Sequence, residues 1–159
     1  KGARKVYAIE PHPGAYAEML ENIKLNNMQD KIIPINTAIG DKQGTIKMST
    51  NIDTVETIGI YHGLNDINGI EIQTITLKHL INDYNIEPDI LKMDCEGCEF
   101  NVIMNNYEDI REFKELVIEV HGDKDSQKRL LNKLSTDYIC TIRIARSKYL
   151  EIVHCARTW

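Results

Sequence analysis

The feature that most constrains this chain is a trio of short apolar runs set with acids at their ends. Val6-Tyr7-Ala8-Ile9 runs into Glu10, Ile90-Leu91-Lys92-Met93 into Asp94, and Leu116-Val117-Ile118-Glu119-Val120 into His121-Gly122. Runs of this length bounded by turn formers are strand-sized, and strands without strict polar alternation are buried on both faces, as in parallel sheets covered by helices. The segments between them have helical patterns. Tyr16, Met19, Leu20 and Ile23 fall at helical spacing within 15–25, a stripe that reads as core. Thr76 is placed to cap a helix over 77–84, helices are expected over 96–104 and 107–113, and Asp125 to cap one over 127–134. Alternating strands and helices joined by connections of crossover length predict an α/β domain on a doubly wound, mostly parallel sheet.

Three stretches depart from that pattern. Residues 31–35 form a strand candidate that contains Pro34, which favours a sheet edge because proline cannot donate to the ladder. Thr45-Ile46-Lys47-Met48-Ser49 and Ile70-Glu71-Ile72-Gln73-Thr74-Ile75 alternate apolar and polar, the mark of half-buried strands in a small antiparallel β insertion, with a long polar loop over 51–68 between them. Residues 138–145 and 149–155 flank Arg146-Ser147-Lys148 and read as a closing hairpin.

A length of 159 residues with 42% hydrophobic content supports one core, so 1–159 is taken as one domain. The net charge of -5 withholds the broad attraction that nucleic acid requires, and no apolar run is long enough to span a bilayer. Cys95 and Cys98 form a C-x-x-C, but inside Asp94-Cys95-Glu96-Gly97-Cys98-Glu99 the acids suit neither a redox nor a zinc motif, and Cys140 with Cys155 lacks zinc-knuckle spacing. The four cysteines are expected to be reduced structural thiols of a cytoplasmic protein.

Ligands of parallel α/β sheets gather at the carboxyl ends of the strands, which directs attention to Glu10, Asp94 and Glu119. Glu10, followed by Pro11, has two acceptor oxygens for two ribose hydroxyls; the alternative is an acid that only stabilises the next helix start. Glu119 and His121 lie two apart on a strand and share a face. With Asp94 they offer either a base or, less favoured, a divalent metal site. Lys92 has a competing reading as a structural partner of Glu96 or Glu99. His62, His79 and His154 read as surface or satisfied residues, while His12, next to the strand-end acid Glu10 and its proline, either reaches the site or is explained as well by its turn position.

Three motifs together, Val6-Tyr7-Ala8-Ile9-Glu10-Pro11-His12-Pro13, Asn36-Thr37-Ala38-Ile39-Gly40-Asp41-Lys42-Gln43-Gly44 and Leu91-Lys92-Met93-Asp94-Cys95-Glu96-Gly97-Cys98-Glu99, resemble the FkbM family of methyltransferases. The K-x-D-x-E-G-x-E arrangement in the third is the most specific. The resemblance covers the chain from Lys1 to about Val120, and the closing hairpin matches in architecture. It implies a class I, Rossmann-like methyltransferase fold, S-adenosylmethionine as cofactor, and a hydroxyl acceptor on a sugar, glycan or other small molecule. Glu10 and Pro11 would then meet the cofactor ribose, Thr37, Ala38 and Ile39 would border the adenine, and Asp41 would be a candidate for its amino group. Asp94 would lie at the methionine end, with Lys92 and Glu96 close by. The resemblance does not say which of these acids does chemistry; methyl transfer to a hydroxyl asks for a base, for which Asp94 or His121 would do, Glu96 and Glu119 being the next candidates.

The family also begins with a strand and a glycine-rich turn that this sequence does not show before Lys1. Two sheet edges would then lack a partner strand, which an upstream segment or a second copy in a homo-oligomer would supply unless the sheet closes differently, and cofactor binding by 1–159 alone is expected to be weak or absent. Two other readings are carried: a nicotinamide-dependent oxidoreductase, which the Asp94 to Glu99 cluster and the terminal hairpin disfavour, and a non-catalytic interaction domain.

Overall fold

The computed structural model describes residues 2–48, 69–147 and 150–158; the loop expected over 51–68, with His62, lies outside them. The elements are β1 (Val6–Ile9), α1 (Pro13–Leu25), β2 (Ile32–Ile35), β3 (Ala38–Ile39), β4 (Gly44–Met48), β5 (Ile70–Ile75), α2 (Leu77–Asp83), β6 (Ile90–Met93), α3 (Cys98–Asn105), α4 (Tyr107–Ile110), β7 (Glu115–His121), α5 (Lys124–Leu134), β8 (Tyr138–Ser147) and β9 (Leu150–Arg157). They form a mixed α/β fold.

The strands fall into three sheets: β1-β2, β3-β5-β4 and β6-β7-β9-β8. β1–β2, β3–β5 and β6–β7 pair in parallel, whereas β4–β5, β7–β9 and β8–β9 are antiparallel. The expectation of a mostly parallel sheet is therefore corrected to small mixed sheets. Two features mix the directions: the β4–β5 pair, and the closing hairpin, whose β9 lies antiparallel between β7 and β8. Pro34 does sit in a strand whose sole partner among the described residues is β1. The β4–β5 pair is the expected antiparallel insertion, with the two-residue β3 added in parallel on its other side.

The main core is built around β7, whose Leu116, Ile118 and Val120 are almost fully covered while Val117, Glu119 and His121 on the opposite face are half-buried. Val102 and Ile103 of α3, Ile110 of α4, Leu130 and Leu134 of α5 and Val153 of β9 belong to the same cluster. Tyr138 anchors the hairpin to it: its hydroxyl lies 2.8 Å from both the Ile110 and the Phe113 carbonyl oxygens. Burial pushes the Tyr138 phenol up to about 12.

Four further expectations are corrected. The α1 stripe is not core throughout: Ile23 is its one buried residue and Leu20 is 41% exposed, because the two four-residue strands beneath offer less surface than a 13-residue helix can cover. Ile90 of β6 is 62% exposed and Leu91 half-buried against the core, so that strand is fully covered at Met93 alone. The α5 cap is Asp123, whose side chain accepts from the Ser126 amide at 2.8 Å; Asp125 lies within the first turn. The cysteines are not reduced. Cys95 is bonded to Cys98 and Cys140 to Cys155, the latter because the β8–β9 register sets those two residues directly opposite each other with Cα atoms 4.0 Å apart.

Candidate active site

Parallel pairing of β6 with β7 brings the carboxyl ends of both strands to one side, Met93 lying opposite Ile118. Asp94 follows β6, and Glu119 and His121 continue β7 on its half-buried face. One carboxylate oxygen of Asp94, one of Glu119 and one ring nitrogen of His121 all lie within 4.8 Å of one another. The side chain of Asp94 is 33% exposed and its Oδ2 stands 3.5 Å from Lys92 Nζ. Lys92 thus pairs with Asp94, not with Glu96 or Glu99 as the competing reading had it.

The chain leaves β6 through a tight turn in which Glu96 (φ 53) and Gly97 (φ 108) both occupy the left-handed region. Glycine adopts that conformation freely; Glu96 does not, and its presence there is maintained by the surrounding structure. The Cys95–Cys98 disulfide closes this turn onto the start of α3. Glu96 is thereby placed with Oε2 at 3.4 Å from His121 Nε2. Desolvation pushes the Glu96 carboxyl above its ordinary value; His121 opposes this, and Asp94, Glu119 and Glu99 add to it.

One residue of this site was not among the sequence candidates. Glu99, the second residue of α3, is 1% exposed. Its Oε1 accepts from the His121 backbone amide at 2.8 Å and lies 2.9 Å from His121 Nδ1, while its Oε2 accepts from the Gly97 amide at 2.9 Å. The Cys95 sulfur is 3.3 Å from Oε2. In the disulfide it carries no proton, so this is a close contact and not a hydrogen bond. Gln127 steadies the next residue, its Nε2 donating to the Gly122 carbonyl at 3.1 Å.

The other candidates form a second group at the ends of β1 and β2. Glu10 Oε1 accepts from the His12 amide at 2.8 Å, and His12, itself 6% exposed, caps α1 by accepting from the Ala15 amide on Nδ1. That supports a helix-start role for one Glu10 oxygen; among the described residues the other has no hydrogen-bond partner. Asn36 Nδ2 donates to the Glu10 and Pro11 carbonyls, tying the β2–β3 connection to the end of β1. Thr37 and Ala38 are buried, Thr37 Oγ1 donating to the Gln73 carbonyl at 2.9 Å, whereas Ile39 is half-buried. Asp41 accepts from Asn105 Nδ2 at 2.8 Å, joining this group to the far end of α3. His79 Nδ1 lies 2.8 Å from Thr76 Oγ1 and His154 Nε2 2.8 Å from Glu115 Oε2, the satisfied positions expected of them.

Comparison with known proteins decides what kind of domain carries these groups. A family model described as the methyltransferase FkbM domain matches residues 1–145, β1 through most of β8. The chain belongs to the FkbM methyltransferase family. Among relatives of this FkbM domain is the hexuronic acid methyltransferase AglP of Haloferax volcanii, 24% identical over 137 residues, which are 83% of this chain and 55% of that protein. Among solved structures, FkbM from Methylobacillus flagellatus KT superposes with a TM-score of 0.62 at 19% identity, over 96% of this chain and 36% of that one. The present chain therefore spans about half of AglP and about a third of the Methylobacillus protein.

Proposed function

We propose that this FkbM domain transfers a methyl group from S-adenosylmethionine to a hydroxyl of a sugar, glycan or other small molecule, on a class I, doubly wound methyltransferase framework. The observation that carries the reading is the convergence of Asp94, Glu96, Glu119 and His121 where β6 and β7 end, in a chain of this family. A hydroxyl oxygen must lose its proton as it gains a methyl group, and carboxylates with an imidazole supply bases there. AglP, by its name a hexuronic acid methyltransferase, supports a sugar as the acceptor class.

The residues present suit the cofactor. The free oxygen of Glu10 fits a ribose hydroxyl, the 37–41 segment would border the adenine, and Asp94 would face the methionine end. Bound there, S-adenosylmethionine supplies an electrophilic methyl carbon. The chain's own part is to align the acceptor oxygen with that carbon and to receive its proton, and alignment alone can account for much of the rate. A second reading rests on the spacing of Asp94, Glu119 and His121: one nitrogen and two oxygens within 4.8 Å would also hold a divalent cation that acidifies the hydroxyl.

The test is methyl transfer from labelled S-adenosylmethionine to a panel of sugars and oligosaccharides by the full-length protein. If Asp94 or His121 takes the acceptor proton, its loss, in Asp94→Asn or His121→Ala, should lower turnover by about a hundredfold with cofactor binding largely retained, and the pair of variants tells which one does. Glu10→Gln should weaken S-adenosylhomocysteine binding by about 1–3 kcal/mol, the scale of a lost charge-assisted bond. Near-normal turnover in both Asp94→Asn and His121→Ala would overturn the placement of the centre. Loss of activity with chelator and recovery with a divalent ion would favour the metal reading.

A further inference from the structure

We infer that Glu99 is a positioning residue for methyl transfer: it holds His121 as the tautomer protonated on Nδ1, and so makes Nε2 the atom that receives the acceptor's proton. This rests on the function proposed above and narrows it to one base and one atom.

An acid in the first turn of a helix is most simply a cap, but the bonds of Glu99 do not fit that role alone. Of its three amide or ring partners only Gly97 is local; the other two are the backbone amide and the ring of His121, 22 residues further along the chain. Two bonds from one carboxylate oxygen to the same residue fix both where the end of β7 lies and how the imidazole is turned. With 1% exposure, Glu99 has no water to take over either bond. A carboxylate that accepts from two backbone amides has only lone pairs to offer the ring, so Nδ1 must carry the hydrogen. The neutral ring then bears its lone pair on Nε2, the ring atom turned away from Glu99, which lies 3.4 Å from Glu96 Oε2.

The proton balance follows from that geometry. As the acceptor oxygen bonds to the methyl carbon, the carbon–sulfur bond breaks with its electron pair returning to sulfur, and the hydroxyl proton passes to Nε2. The imidazolium so formed keeps its Nδ1–H bond to the Glu99 carboxylate until Nε2 releases the proton to solvent. Asp94 is less suited to this task, because Lys92 stands 3.5 Å from its carboxylate.

The experiment uses the full-length protein labelled with 15N-histidine. In the wild type the long-range proton–nitrogen spectrum of the neutral His121 ring is expected to show a protonated Nδ1 and an unprotonated Nε2. Glu99→Gln keeps the size of the side chain but lets an amide group donate to Nδ1, so the pattern should invert or mix. Turnover should fall at least about tenfold with the KM for both substrates within about twofold. A purely structural role would move neither the tautomer nor kcat selectively. The inference is overturned if the wild-type ring carries its proton on Nε2, a result that stands even if Glu99→Gln fails to fold, or if Glu99→Gln changes the tautomer and turns over normally. A wild-type protein that methylates no hydroxyl would instead fail the proposed function, with the spectrum still reporting the tautomer.

Discussion

The two disulfides should differ in what their loss does, and the difference can be worked out from where they sit. In the chain-entropy description a crosslink stabilises by about 298 K × (2.1 + 1.5R ln n) cal/mol/K for a loop of n residues. The Cys140–Cys155 link spans 15 residues and the Cys95–Cys98 link spans 3. These separations give about 3 kcal/mol for the first and about 1.6 kcal/mol for the second. Cys140→Ala leaves Cys155 as a small apolar residue in a site with 0% exposure, so packing is largely kept. Urea denaturation of this variant should show a loss of about 3 kcal/mol and, for a domain of this size, a fall in Tm of about 6–12 °C. The m-value should rise, since a chain without the link exposes more surface when unfolded. Cys95→Ala should lose about half as much. The premise has its own check: denatured without reductant, the protein should show no reactive thiol among its four cysteines. Four thiols in that assay, or equal losses for the two variants, would refute the reasoning.

Three other outcomes are expected. The Glu96 carboxyl is held above its ordinary value, so the native state binds that proton more tightly than the unfolded chain; by linkage, stability attributable to this group rises as pH falls through the native pKa towards 4.5 and is lost above it. Glu96→Gln should therefore be more stable than wild type at pH 7, with the gap closing near pH 4, and urea midpoints at the two pH values that differ from wild type equally would contradict this. Tyr138→Phe removes a hydroxyl placed between two buried carbonyls and should cost about 1–3 kcal/mol in chemical denaturation; a change below about 0.5 kcal/mol would mean those carbonyls find other donors. Val6 and Glu10 donate towards β2, so alternation turns the Tyr7 and Ile9 amides to the opposite edge, where no strand pairs among the described residues. Hydrogen exchange at Tyr7 and Ile9 should be much faster than at Ile118, and slow exchange would show that another strand covers this edge.

Local rules were legible wherever the cause was local. The apolar runs marked β1, β6 and β7, alternation marked β4 and β5, Thr76 capped α2 as its side chain allows, and Pro34 sat in an edge strand because the reason lies within its own ring. Asp94, Glu119 and His121 were found because strand ends and two-residue spacing are visible in sequence, and the structure brings them together. What escaped depended on partners distant in the chain. Nothing in 138–155 says that β9 lies between β7 and β8, and that order is what makes the sheet mixed and opposes Cys140 to Cys155. Glu99 stood within the family-like motif, but its meaning lies in His121, which the spacing of neither residue discloses. The α1 stripe was overestimated because helical periodicity tells which face would be covered, not how much there is to cover it.

The central place of β9 also bears on how the domain comes to be folded. Ribosomal synthesis delivers β6 and β7 first, then β8, and only afterwards the strand that must lie between β7 and β8. Until Leu150–Arg157 emerges, β7 has one bare edge, and pairing it directly with β8 would bury the wrong neighbours. The hairpin can close on itself within microseconds, whereas its docking beside β7 joins residues from 29 (His121 with Leu150) to 41 (Glu115 with Ala156) positions apart and pays a larger loop-closure entropy. The His121 end of β7 lies opposite Leu150 in the finished register, so until β9 docks a nascent chain carries these acids and the histidine on an open strand.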